Sequence, residues 1–156
     1  MKKANEVLNE VLNEGLNIPI IRLGSLSAKD VINAHIEKLE EAEKVWFSTH
    51  VNSTPKRARN VDRLLLSNQN GLRYIATVVD YMHFEEKGLP SDVEEYCPEF
   101  CNNVAEPHWF LLDSIEPISP DEVEKFSMSN KDLQEKFGNA ENHIRNTGRL
   151  NNFYFL

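Results

Sequence analysis

The run LRYIATVVDYMHF, Leu72 to Phe84, constrains the fold more than any other part of this chain. Its Ile, Val and Tyr content is nearly continuous, the pattern of a strand buried on both faces. Such a strand needs a partner on each side and a packed layer above and below. Leu72–Phe84 is therefore predicted to lie in the interior of a sheet, and the other elements must supply its neighbours and its cover. With 156 residues in all, the chain is expected to form a single domain spanning 1–156.

Four further segments have strand character. In IPIIRLGS the β-branched Ile18, Ile20 and Ile21 flank Pro19, which is excluded from a helix interior. KVWFSTHV and HWFLLDSIEPI are apolar and aromatic, and RLNNFYFL closes the sequence as an aromatic strand. Helices are predicted between them. Val7, Leu8, Val11 and Leu12 before Gly15 mark an amphipathic N-terminal extension, residues 1–16, packed on the body. Ser27 with Asp30 caps a helix whose apolar face is Val31, Ile32, His35, Ile36 and Leu39 and which ends near Glu43.

Thr54 before Pro55 reads as a cap followed by an N1 proline, so a helix is expected to run to Leu66 and end in SNQNG. The proline-bearing segment from Glu85 to Pro107 is expected to be a long loop with one helical turn capped by Ser91 and Glu94. Ser119-Pro120-x-Glu122 starts a short helix, and Gly138 breaks the helical stretch that follows. There is no regular βαβ rhythm and no glycine-rich phosphate loop. The expected class is α+β: a small curved mixed sheet or open pseudo-barrel of about five strands with surrounding helices.

The formal charge is −8, which opposes general adhesion to nucleic acid or anionic membrane, so any phosphate contact must be local. No apolar run approaches the roughly 20 residues that span a bilayer. The sequence MKKANEVLNEVLNEGL lacks the continuous hydrophobic stretch of an export signal, and the expectation is a cytoplasmic protein. Cys97 and Cys101, four apart, form neither a disulfide framework nor a CxxC motif, and are expected to be reduced thiols. No cofactor motif is present.

Against this acidic background, Lys56, Arg57, Arg59 and Arg63 form the densest basic stretch. On the predicted helix Lys56, Arg59 and Arg63 share a face beside the end of the VWFST strand. Arginine's planar fork suits phosphate, and aromatic faces suit bases. Trp46, Trp109, Tyr74 and Tyr81 are aromatic candidates, and Ser48, Thr49, His50 and Asn52 are polar candidates for a pocket. A solvated helix face and ordinary core packing account for the same residue types. His83, Cys97, Cys101 and His108 have the chemistry of a tetrahedral zinc shell, although their spacing matches no zinc motif.

Taken in order, VWFSTHVN, a basic connection, LRYIATVVDY, a long proline-containing loop and HWFLLDSIEPIS before a capped helix resemble the PUA-like superfamily, particularly EVE and ASCH domains. The resemblance covers roughly Pro19 to Leu156. It implies a pseudo-barrel that binds RNA or modified DNA bases in a concave pocket beside these strands. Some ASCH-like proteins are hydrolases or nucleases using a Lys, Thr and Glu set, for which Lys56, Thr49 and Glu85 are the nearest analogues here.

The leading expectation is thus a noncatalytic nucleic-acid or modified-base binding module. Its site would comprise Trp46, Ser48, Thr49, Asn52, Lys56, Arg57, Arg59, Arg63 and Trp109. One alternative is an acidic protein-interaction or inhibitor module, with nucleic-acid mimicry as one form of it, on the acid clusters EKLEEAEK, FEEKG, SDVEEY and PDEVEK. The other is a small hydrolase of the ASCH-like kind.

Overall fold

A computed structural model describes residues 18–23, 28–49, 58–68, 70–84, 91–98, 107–128, 131–147 and 154–155. In chain order the elements are β1 (Pro19–Arg22), α1 (Ala28–Ala42), β2 (Val45–Thr49), β3 (Arg63–Ser67), β4 (Arg73–His83) and α2 (Val93–Tyr96). There follow β5 (His108–Pro117), α3 (Pro120–Val123), α4 (Lys131–Phe137), α5 (Ala140–Asn146) and the two-residue β6 (Tyr154–Phe155). The strands form one mixed sheet in the order β2-β5-β4-β3-β1-β6, with β1 and β3 parallel and the other pairs antiparallel. The sheet curls into a half-barrel, as expected for an α+β fold around a curved sheet. The predicted N-terminal helix and the Ser27 cap lie outside the described residues.

Strand β4 is interior, between β3 and β5, and alternation along the strands, interrupted by bulges between β4 and β5, separates two apolar faces. Val45 and Phe47, Leu64 and Leu66, Ala76 and Val78, and Phe110 and Leu112 point to the face covered by α1, which contributes Ile32 and Leu39. The opposite face holds two clusters. Ile20, Leu65 and Ile75 pack with Val123, Phe126 and Ile144 of the α3–α5 region, and Trp46, Trp109 and Leu111 pack near Tyr96 and Cys97 of the α2 region.

The helix expected from Pro55 to Leu66 does not extend that far. Helical conformation among the described residues stops at Arg59, and Arg63–Ser67 is a strand hydrogen-bonded on both sides. The physical reason is the run Leu64-Leu65-Leu66, each 0% exposed. Two of these side chains go to the α1 face and one to the other, a division natural to a strand between two neighbours, and this burial ends the helix short of Leu66; its expected start at Thr54-Pro55 lies outside the described residues. SNQNG then turns one strand into the next. Asn68 Oδ1 accepts from the backbone N–H groups of Asn70 and Leu72, and Gly71 takes a φ of 100°.

The helical turn α2 is a second correction. It starts after Asp92, with no side-chain capping bond, so Ser91 and Glu94 do not form the expected cap. The Asp92 carboxylate instead accepts from Trp46 Nε1 at 2.8 Å, which ties α2 to β2. At α3 the prediction holds: the Ser119 side chain accepts from the N–H of Glu122, with Pro120 in the first turn. Ser119→Ala is expected to cost about 1 kcal/mol, read as a shifted urea midpoint with unchanged slope. Gly138, at a φ of 81°, separates α4 from α5 as expected.

The β4–β5 pairing contains two irregularities that position the candidate site. The register passes from Thr77↔Ser114 to Val78↔Leu112, leaving Asp113 extra, and then to Asp80↔Leu111, leaving Val79 extra. Bulges bend a strand and increase its twist. Beyond this point β4 continues without β3, whose last partner along this direction is Arg63 opposite Thr77. Only the Asp62 carbonyl follows, accepting from Val78 N–H at 3.0 Å.

Candidate functional site

Beyond Thr77, where no described strand pairs with it on this side, β4 borders a cleft of about 360 Å³, lined by Arg59, Val61, Val78, Val79, Asp80 and Tyr81. That volume lies in the range of small-ligand sites. Val61 and Val78 are buried at its wall, Val79, the extra residue of the bulge, is 48% exposed, and most of the lining surface is polar. Arg59 comes from the short helical turn before β3 and contributes a guanidinium.

Asp80 is exposed and folds back on the strand edge, where Oδ1 accepts from the Tyr81 N–H at 2.8 Å. An edge N–H left open would invite another strand, and a charged side chain over it discourages such pairing. The Tyr81 ring packs 5.0 Å from Phe110, and its hydroxyl shares a 2.6 Å hydrogen bond with His108 Nδ1. The phenol is thereby held at both its body and its tip.

Behind Tyr81, three strands align a polar row: Thr49 on β2 is opposite His108 on β5, which is opposite His83 on β4. The two imidazoles meet edge to face at 5.2 Å; His108 is 1% exposed and His83 is 8% exposed. His83 Nδ1 is buried without a hydrogen-bond partner among the described residues.

The nine residues expected to form the site do not come together as one patch. Asn52, Lys56 and Arg57, together with His50, Cys101 and Glu85, lie outside the described residues. Trp46 and Trp109 are 1% and 0% exposed, packed with Leu111 on the sheet face opposite Tyr81; they are core and offer no surface for a base. Ser48 faces Trp109 across the β2–β5 pair, and Thr49 joins the histidine row.

Arg63 is 8% exposed on β3, with Nη1 donating to the Asp62 carbonyl at 2.8 Å, so it forms no helical stripe with Arg59. Only Arg59 of the described basic residues from this stretch lines the cleft. Tyr74 sits elsewhere, its hydroxyl accepting from Lys29 Nζ at 3.3 Å. The cysteine–histidine set is split too: Cys97 packs with the Trp109 cluster, whereas His83 and His108 belong to the row on the other face. No group of three or more potential metal ligands occurs among the described residues.

Val61, Val78, Val79 and Asp80 are the lining residues that sequence reading missed, and only Asp80 carried a signal. It was visible as a carboxylate inside the most apolar strand of the chain, a place where burial on both faces has to fail. No protein-family model, curated protein or solved structure matches the chain.

Proposed function

We propose that this chain is a noncatalytic nucleic-acid binding module that receives a single base, modified or unmodified, in the cleft at the β4 edge. One observation carries the reading: the aromatic residue Tyr81, the cation Arg59 and the acid Asp80 line one concavity of about 360 Å³ together with Val61, Val78 and Val79. Tyr81 supplies a stacking surface whose orientation is already fixed, so less entropy is lost on binding. Arg59 supplies the phosphate contact. The resemblance to PUA-like domains points to the same ligand class. The net charge of −8 confines attraction to this locality, so few counterions are released and the salt dependence is shallow. We further propose a cytoplasmic setting, on the two-cysteine composition alone.

The test is fluorescence anisotropy with labelled single-stranded oligonucleotides covering all four bases, at low and moderate salt. Tyr81→Ala is expected to weaken binding by about 10-fold or more, the scale of one lost base–aromatic stack. Arg59→Glu is expected to weaken it comparably and to flatten the salt dependence, while Lys131→Glu at the exposed start of α4 leaves it unchanged. Absence of binding to every oligonucleotide, or binding indifferent to both cleft substitutions, would overturn the reading.

A further inference from the structure

We infer that the cleft selects its base through Asp80, by accepting two adjacent N–H donors, and that guanine is the standard base it prefers. The inference rests on the base-binding reading above and adds a substrate class to it. Asp80 lines the cleft and is exposed on β4 beyond the last β3 pairing, next in sequence to Tyr81. Its Oδ1 accepts from the Tyr81 N–H at 2.8 Å, and the carboxylate makes no further hydrogen bond among the described residues. The strand edge thus holds the carboxylate in place while leaving acceptor capacity directed away from the backbone.

An ionised carboxylate only accepts hydrogen bonds. Guanine presents N1–H and the N2 amino group side by side, a donor pair whose spacing matches the two oxygens of a carboxylate. Adenine and cytosine place one amino donor next to a ring nitrogen lone pair, and thymine or uracil places a single N–H between two carbonyls. Each therefore sets at least one acceptor against the negative oxygen. Hypoxanthine keeps the guanine N1–H and lacks the amino group, so it isolates the second donor. Discrimination of this kind amounts to roughly 10-fold or more for a bidentate contact.

The experiment measures binding of the full chain to four short single-stranded oligonucleotides identical except for one central base: guanine, hypoxanthine, adenine or thymine. The expected order is guanine tightest, by about 10-fold or more over adenine and thymine, with hypoxanthine between. Asp80→Asn retains an amide oxygen to accept the Tyr81 N–H but puts an NH₂ donor where the second acceptor was. It is expected to abolish the guanine preference while leaving salt-sensitive binding, with an unchanged circular dichroism spectrum. Equal binding of all four oligonucleotides by the unmodified protein would overturn the inference and leave the base-binding reading standing, as would a guanine preference that survives Asp80→Asn. Failure to bind any of the four would overturn both. The unmodified protein alone decides the question if Asp80→Asn does not fold.

Discussion

Glu141→Ala is expected to lower the unfolding free energy by about 3–5 kcal/mol, enough to consume much of the stability of an ordinary domain. Glu141 is 1% exposed on α5, and Arg73, at the start of β4, is 2% exposed. The Arg73 guanidinium donates from Nε to Oε1 at 2.7 Å and from Nη2 to Oε2 at 2.9 Å, a bidentate pair. Its Nη1 donates to the Asn68 and Leu72 carbonyls, so the cation is bonded both to the β3–β4 turn and to α5. Removing Glu141 leaves the buried guanidinium without its counter-charge, which costs far more than the intact pair contributes.

Arg145 makes a useful contrast. It also donates to Glu141, but its side chain is 55% exposed, and water replaces the lost contact. Arg145→Ala should therefore cost less than about 1 kcal/mol. Replacing both buried partners, as Arg73→Met with Glu141→Leu, should restore most of the loss, because the penalty lies in the orphaned charge. Urea unfolding of the three variants checks the series. Equal losses for Glu141→Ala and Arg145→Ala would contradict it.

The same helix is expected to make the protein acid-sensitive. His143 is 1% exposed, and burial, then the nearby charges of Arg22 and Lys136, lower its pKa from 6.5 to about 4. A histidine with a lowered folded pKa stays neutral in the native state while the unfolded chain takes up a proton. Its contribution is fully present above the unfolded value of 6.5 and is lost as pH falls toward about 4. At pH 5 the loss from this group reaches at most about 2 kcal/mol.

Glu141 adds to the effect at lower pH. Burial opposes its charge, but hydrogen bonds from Arg73 and Arg145 outweigh burial and hold the carboxyl below its ordinary value of 4.5. Its stabilisation is present above 4.5 and lost as pH falls through the lowered folded value. His143→Gln is thus expected to reduce the stability difference between pH 7.5 and pH 5 by at most about 2 kcal/mol. Urea midpoints of both proteins at the two pH values test this, and an identical pH dependence would refute it.

Much of the frame was legible because it depends on local chemistry. Ser119-Pro120-x-Glu122 caps α3 whatever it packs against, Gly138 breaks a helix through its own backbone, and the Ile and Val density of β4 and the aromatic run of β5 require burial. The site was less legible. Trp46 and Trp109 look alike as core or as a stacking surface until α2 covers them. Arg59 and Arg63 are a helical stripe only if the helix continues, and whether it continues depends on how Leu64, Leu65 and Leu66 are buried.

Turns, caps and the most apolar strands follow from the backbone preferences and solvation of a few neighbouring residues, and the chain specifies them without reference to the rest of the fold. Three outcomes depend on distant partners. Strand β3 pairs with β4 through the short turn between them, but it is completed on its other side by β1, whose Ile20 lies opposite Leu65 at a separation in sequence that no local preference can sense. The Arg73–Glu141 pair joins residues 68 positions apart. The cleft opens where β3 ends and a double bulge bends β4, bringing Arg59 and Val61 to Val78, Asp80 and Tyr81. The charge and aromatic character of those residues are written in the sequence, but their convergence on one concavity is a property of the curled sheet.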